Sequence, residues 1–217
     1  MFPPFGSEGT HLMKQGASIL AAAALVAIAA FAPVAAGPLE DGLTAYRDRD
    51  YAAALESWRA LADKGDAAAQ YRLGTLYAEG KGVAQSDVTA AAWFARAAEQ
   101  GNAEAQYNLA ASFAEGLGVA KDDAAAVKWF RRAAEQGMPY AQLNLGLLYA
   151  TRRGGTADDV EAVKWLELAI FALPPGGARS DAATMLKQVA DKLTEEQLLQ
   201  ARMREKAWKA KAEVKAR

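Results

Sequence analysis

The chain repeats itself with a step of 36 residues between residue 67 and about residue 173. Residues of several independent types recur at this step, so composition alone does not explain the repeat. Equivalent positions carry the same or a similar residue: Gln70, Gln106 and Gln142; Leu73, Leu109 and Leu145; Tyr77, Phe113 and Tyr149; Gly82, Gly118 and Gly154; Asp87, Asp123 and Asp159; Trp93, Trp129 and Trp165. A fixed period of this length indicates small units that bury a core only by stacking on one another.

Each unit contains two predicted helices. The first, at residues 67–79, carries Tyr71, Leu73 and Leu76 at helical spacing and ends at Gly80. The second begins next to an acidic residue, which suits the positive end of the helix dipole, and carries apolar residues such as Trp93. The sequence therefore predicts an all-α chain of stacked helix–turn–helix units.

The repeated motif reads Ala-x-x-Gln-Tyr-x-Leu-Gly-x-Leu-Tyr-x-x-Gly-x-Gly-Val, then Asp, Ala, Trp-Phe and Ala-Ala-Glu-Gln-Gly. It resembles the Sel-1-like repeat, a relative of the tetratricopeptide repeat. The resemblance covers about residues 40–173 and implies a right-handed α-solenoid with copies at 67–102, 103–138 and 139–173. The third copy departs most from the motif, with Leu143 for tyrosine, Arg152 for glycine and Gly155 for valine.

The array is bounded on both sides. Residues 37–66 resemble the degenerate helix pair that often precedes such arrays, and we expect them to cap its N-terminal end. The segment 174–177, Pro-Pro-Gly-Gly, ends the array because proline cannot continue a helix. Residues 178–217 are predicted to form C-terminal helices with a basic tail: one at 181–192 that folds back over 159–173, and a last one opened by a capping box of Thr194 and Gln197.

Residues 1–36 read as a leader. From Met13 onward the order is a positive start, an apolar run at residues 17–32 and small residues at 34–36, which is the order of a secretory signal. Residues 1–12 lack this order and are interpreted as an over-extended start. The prediction is a signal peptide at 13–36 and a periplasmic or secreted protein. The alternative is an inner-membrane anchor through residues 17–36, which are about long enough to span a bilayer.

The residue inventory without this leader excludes several kinds of catalysis. His11 is the only histidine and there is no cysteine, so a thiol nucleophile, a Ser-His triad and a His- or Cys-ligated zinc site are excluded. Glu79 and Glu115 are one repeat apart, about 10 Å or more, which is too far for the carboxylate pair of a retaining glycosidase and marginal for that of an inverting one. We therefore reject a glycosidase. We predict no enzymatic activity, no cofactor and no metal.

Charge is distributed unevenly along the chain. Residues 202–217 hold seven basic and two acidic residues, a net charge of +5, whereas residues 37–201 hold 17 basic and 23 acidic residues, a net charge of −6. A nucleic-acid binder usually carries basic residues across a whole face, so we predict no nucleic-acid partner.

The resemblance implies a non-enzymatic scaffold that helps to assemble envelope or secreted complexes by binding a protein or peptide. A second hypothesis is a cell-wall-related hydrolase or a small-ligand-binding protein of the envelope. The relatives that suggest cell-wall chemistry are rich in cysteine, and this chain is not.

The candidate partner-binding groove lies on the concave face, which in similar solenoids is lined by the first helix of each pair. By analogy with the tetratricopeptide groove, the candidate residues are Tyr71, Arg72, Tyr107, Asn108 and Asn144. Tyrosine offers a flat apolar surface with a hydroxyl, and asparagine and arginine hydrogen-bond a peptide backbone or a carboxylate. The alternative is that Tyr71 and Tyr107 pack between units as part of the repeat skeleton.

Two other residue sets have a structural interpretation. The tryptophans recur within the second helices, which predicts a place in the core rather than a sugar-stacking surface: Trp58, Trp93, Trp129 and Trp165. The acids near the starts of these helices are predicted to cap them rather than to bind calcium: Asp87, Asp122, Asp123, Asp158 and Asp159.

The basic tail also has two readings. One helical stripe holds Leu199, Met203, Ala207, Ala210 and Val214, with Trp208 next to it. Apolar residues among basic ones suit contact with an anionic membrane or an acidic partner. The alternative is a frayed, solvated helix end.

Overall fold

A computed structural model describes residues 37–155 and 158–215. Those residues form ten helices and no strands. The predicted leader at 1–36 lies outside the described residues. The helices are α1 (Pro38–Arg47), α2 (Tyr51–Ala62), α3 (Ala67–Glu79), α4 (Asp87–Glu99), α5 (Ala103–Glu115), α6 (Asp123–Glu135), α7 (Pro139–Ala150), α8 (Asp159–Ala172), α9 (Gly177–Ala190) and α10 (Glu195–Lys215).

Each helix from α1 to α8 packs on the next helix along the chain, as stacked helix pairs require. At the C-terminal end, α9 contacts both α7 and α8, and α10 packs back on α8. The predicted all-α solenoid is confirmed. The helix expected at 181–192 spans Gly177–Ala190 instead, so it begins in the glycines that directly follow the two prolines.

Close packing within a pair depends on a small residue in the first helix opposite a large one in the second. A Cβ atom placed on Gly74 would lie 2.5 Å from the Phe94 ring, and one on Gly146 would lie 2.8 Å from Leu166. Gly42 faces Trp58 in the same way. The first helix of each pair therefore approaches its partner closely enough to bury that large side chain.

The tryptophan prediction is confirmed at two positions and wrong at two. Trp58 and Trp165 are each 1% exposed. Trp93 and Trp129 are only partly buried, at the edges of the apolar clusters, with the guanidinium carbons of Arg96 and Arg132 4.5 and 4.6 Å from their ring centres. The buried repeat position is the next residue, which is Phe94 in the first copy and Phe130 in the second.

The acids at the starts of the second helices divide into two groups. Asp122 and Asp158 are N-cap residues whose side chains accept hydrogen bonds from backbone N–H groups, as predicted. The acids Asp87, Asp123 and Asp159 instead stand at the first helical position, and Ser86 is the cap of α4.

A glutamine column connects successive repeats. The side-chain amides of Gln70 and Gln106 donate to the carbonyl oxygens of Ala62 and Ala98, each at 3.1 Å. Their own Oε1 atoms accept from the glutamines that end the following helices, Gln100 (2.7 Å) and Gln136 (2.8 Å). In the third copy, Gln142 repeats the first bond at 3.3 Å. Its Oε1 is buried and has no hydrogen-bond partner among the described residues, because alanine occupies position 172, where the earlier copies have glutamine.

The last helix, α10, packs against α8. Trp208 packs edge-on against Trp165, with ring centres 6.2 Å apart, and Ala201 is fully buried. Arg204 donates to Asp158 at 3.3 Å and to Glu161 at 3.0 Å. The reading of this segment as a frayed, solvated end is therefore wrong, since α10 has a buried face on α8.

Candidate functional site

Two clefts lie between the first helices of neighbouring repeats. Cleft A, between α3 and α5, encloses about 330 Å³, and cleft B, between α5 and α7, encloses about 380 Å³. A third hollow of about 350 Å³, the end hollow, adjoins them near the start of α7. The lining of cleft A includes Tyr71, Thr75, Glu79, Asp87, Asn108 and Leu117. The lining of cleft B includes Tyr107, Ala111, Glu115, Asn144, Leu147 and Arg153. The end hollow is lined by Tyr71, Glu104, Tyr107, Asn108, Met138 and Tyr140.

The two candidate tyrosines line the clefts and also brace the repeats. Tyr71 packs on Phe94 with ring centres 6.1 Å apart, and Tyr107 meets Phe130 edge-on at 5.5 Å. Both tyrosines are partly buried. One face of each ring therefore belongs to the repeat skeleton, while the remaining surface is open to the clefts.

The three predicted polar residues, Arg72, Asn108 and Asn144, have different surroundings in the structure. Asn108 lines both cleft A and the end hollow, and its side chain forms no hydrogen bond within the described residues. Asn144 lines cleft B but already donates to the Tyr140 carbonyl at 3.1 Å and to the Tyr107 hydroxyl at 3.4 Å. Arg72 lies outside the clefts, with its guanidinium carbon 5.4 Å from the centre of the Tyr71 ring. Four of the five candidate residues thus share one surface.

Sequence reasoning missed a second row of lining residues, one helical turn further along the first helices. This row consists of Thr75, Ala111 and Leu147, which stand 36 residues apart. The signal was present, because a residue four positions after Tyr71 or Tyr107 falls on the same helix face.

The rims of the clefts are predominantly acidic. Asp87, Glu104 and Glu115 take part in no ion pair among the described side chains. Glu79 differs, because it lies 2.9 Å from the ammonium of Lys81 and accepts from the Tyr46 hydroxyl at 2.8 Å. Burial acts to raise the pKa of the Glu79 carboxyl, but these two hydrogen bonds outweigh it, so the pKa is lowered from its usual value.

The basic group in cleft B is already engaged. Arg153 forms a two-point contact with Asp123, with nitrogen–oxygen distances of 2.9 and 2.5 Å, and donates to the Ala114 carbonyl at 3.2 Å. The hydrogen bonds from Arg153 lower the pKa of the Asp123 carboxyl. Since Arg153 belongs to the third copy and Asp123 to the second, this contact links two repeats.

The structure does not bring together the groups that were considered for catalysis. Glu79 and Glu115, the carboxylates considered for hydrolysis, line different clefts. Within the described residues, no group of three or more histidine, cysteine, aspartate or glutamate side chains is placed to hold a metal ion. The same residues include no helix that is both long enough and apolar enough to cross a membrane.

Comparisons with known proteins agree with this geometry. The family model described as Sel1 repeat matches residues 67–102, 103–138 and 139–170. A Sel1 repeat protein from Oxalobacter formigenes is 32% identical, with a TM-score of 0.63, and the match covers 70% of this chain and 60% of that one. The protein c5321, a protective antigen of uropathogenic Escherichia coli strains with an SLR fold, is 30% identical, with a TM-score of 0.51, covering 72% and 40%. No curated protein matches the sequence.

Stacked helix pairs in which each pair packs on the next define a helical-repeat solenoid. The three matched repeats fit the Sel1 repeat model, and both structural neighbours are Sel1 repeat proteins. The chain therefore belongs to the Sel1 repeat family. Sel1 repeat proteins are generally interaction scaffolds that bind protein partners, and they are typically not enzymes. The chain spans less than two thirds of the length of these two neighbours.

Proposed function

We propose that this chain is an exported, non-enzymatic scaffold that holds an extended segment of a partner protein in clefts A and B. In this proposal, the clefts form the concave face of the solenoid. The observation that carries it is Asn108, whose side-chain amide lines two adjoining hollows without a hydrogen bond to any described group. An amide offers both donors and an acceptor, which is what the backbone of a bound peptide requires.

The lining also indicates the chemistry of the partner segment. Tyr71 and Tyr107 supply flat apolar surface for its side chains. The carboxylates of Asp87, Glu104 and Glu115 favour a segment that carries lysine or arginine. We therefore expect a basic, extended peptide rather than an acidic one.

Replacing Asn108 with alanine is expected to weaken partner binding about tenfold while leaving stability nearly unchanged. The loss reflects one or two peptide groups that stay unpaired in the complex. A partner is first captured from envelope extract on the immobilised chain, and its binding segment is then titrated against each variant by calorimetry. Thermal denaturation of the variant measures stability.

Two further variants sharpen the experiment. Glu99→Ala changes an exposed residue of α4 that lies outside both clefts, and it should bind as the original chain does. Arg72→Ala, alone and combined with Asn108→Ala, measures whether the arginine beside Tyr71 reaches the partner. Unchanged affinity in Asn108→Ala would contradict the proposed site. Lost stability with unchanged affinity would assign Asn108 to the fold instead.

Export is the second element of the proposal, and it rests on the order of residues 13–36. When the chain is expressed in a bacterial cell, we expect the mature protein to begin at Gly37 and to appear in the periplasm or the medium. Intact mass measurement of each fraction tests this. Recovery of residues 13–36 in the membrane fraction would contradict cleavage and favour an inner-membrane anchor. Contact of the basic tail with an anionic membrane is tested separately, through the variants of α10 below.

A further inference from the structure

One face of α10 is apolar and uncovered in the part of the chain that the structure describes. Leu199 is 59% exposed and Met203 is 64% exposed. The opposite side of the helix is packed on α8 through Ala201 and Trp208. The exposed face is therefore held in a fixed orientation by a docked helix.

The exposed face has the spacing of a coiled-coil seam. Glu196, Leu199, Met203 and Lys206 are separated by three, four and three residues, which is the alternation of a and d positions in a heptad. All four side chains are exposed. Leu199 and Met203 form the apolar centre of the seam, with an acid at its N-terminal end and a base at its C-terminal end.

The order of the charged residues along the seam favours pairing with a second copy of α10 in the antiparallel orientation. In an antiparallel pair of identical helices, an a position faces a d position of the other helix. Here Leu199 would face Met203, and Glu196 would face Lys206, twice by symmetry. A parallel pair would instead place glutamate against glutamate and lysine against lysine. We propose that this face is the interface of a homodimer in which two α10 helices pack antiparallel about a two-fold axis.

The dimer leaves the clefts available. Clefts A and B are formed by α3–α7 and their loops, and none of their lining residues belongs to α10. Two copies would therefore present two partner-binding surfaces, which increases avidity for a partner with repeated binding segments. A single helix pair is a small interface, so we expect a weak dimer with a dissociation constant of about 10–100 µM.

The test is sedimentation equilibrium on the full chain, from about 5 to about 500 µM, a range that brackets the expected constant. Met203→Asp is expected to weaken dimerisation more than about tenfold by placing a charge in the apolar centre. Lys206→Glu alone should weaken it about threefold to tenfold, because it creates two like-charge contacts. Glu196→Lys alone should act in the same way.

The decisive variant combines Glu196→Lys with Lys206→Glu. It exchanges the two charges and restores both opposite-charge contacts, so its dissociation constant should return to within about twofold to threefold of the original. Circular dichroism shows whether each variant keeps its helices. Every variant is produced in the same way as the original chain, so any contribution of residues 1–36 to association is the same in all of them.

Two outcomes would overturn the proposal. The first is dimerisation that is unaffected by Met203→Asp and by the single charge changes, which would place the interface elsewhere. The second is a monomer at every concentration that binds phosphatidylcholine vesicles only when about one quarter of the lipid is phosphatidylglycerol, with binding lost in Met203→Asp. That result would assign the face to an anionic membrane.

Discussion

Replacing Gly118 with alanine is expected to lower the free energy of unfolding by about 2–5 kcal/mol. Gly118 has φ 70°, a left-handed conformation that costs a residue with a side chain about 1–2 kcal/mol. A Cβ atom there would also collide with the backbone carbonyl of Asp87, in the preceding repeat. Backbone atoms cannot rotate away as a side chain can, so the two repeats would have to separate, at a cost of about 1–3 kcal/mol. Urea denaturation followed by circular dichroism measures the change.

Gly101 provides the matched control. It also has a positive φ, 95°, but a Cβ atom built there meets nothing within 4 Å. Gly101→Ala should therefore show the conformational cost alone, about 1–2 kcal/mol. Equal losses of stability in the two variants would mean that the loop after α5 does not pack against the start of α4, contrary to the contact between Gly118 and Asp87.

The fold could be predicted because its signal is repeated. Each of the columns that share the 36-residue step reports on the same local structure, so departures such as Ala110 in place of glycine do not hide the pattern. The repeat also marks which residues are structural. It does not by itself distinguish a buried position from the edge of an apolar cluster, which is why Trp129 was assigned to the core although Phe130 occupies it.

Contacts between repeats were harder to predict from the sequence, because each contact joins two different repeat positions. Arg59 donates to the Tyr77 hydroxyl at 2.8 Å, and Arg131 donates to the Tyr149 hydroxyl. In the copy between them both partners change together, since alanine stands at position 95 and phenylalanine at position 113. This joint change was visible in the sequence, but only the structure shows that the two columns touch.

The candidate site was predicted in part for the same reason. The first-helix rows containing Tyr71, Tyr107 and Asn108 were found from the repeat, and the structure brings them to adjoining clefts. Arg72 shares a column with Asn108 and Asn144 yet lies apart, because its longer side chain reaches over the Tyr71 ring. Loop residues such as Leu117 line a cleft without any periodic signal, since a loop position is not constrained to one face.

Replacing Trp165 with alanine is expected to cost about 3–5 kcal/mol, the usual range for a large buried aromatic side chain. Its ring is 1% exposed, its indole N–H donates to Glu161 at 2.9 Å, and its edge-on contact with Trp208 holds α10 on α8.

Trp129→Ala changes the equivalent residue one repeat earlier, but its ring is only partly buried, so we expect a loss of about 1–2 kcal/mol. The two variants should also differ in their effect on the docking of α10. Loss of Trp165 should expose α10 to trypsin at Lys206 and Lys209 under native conditions, whereas loss of Trp129 should leave that helix protected. Equal losses of stability with equal protection would mean that the Trp165–Trp208 contact does not hold α10 in place, and that the face carrying Leu199 and Met203 is not fixed by the docking on α8.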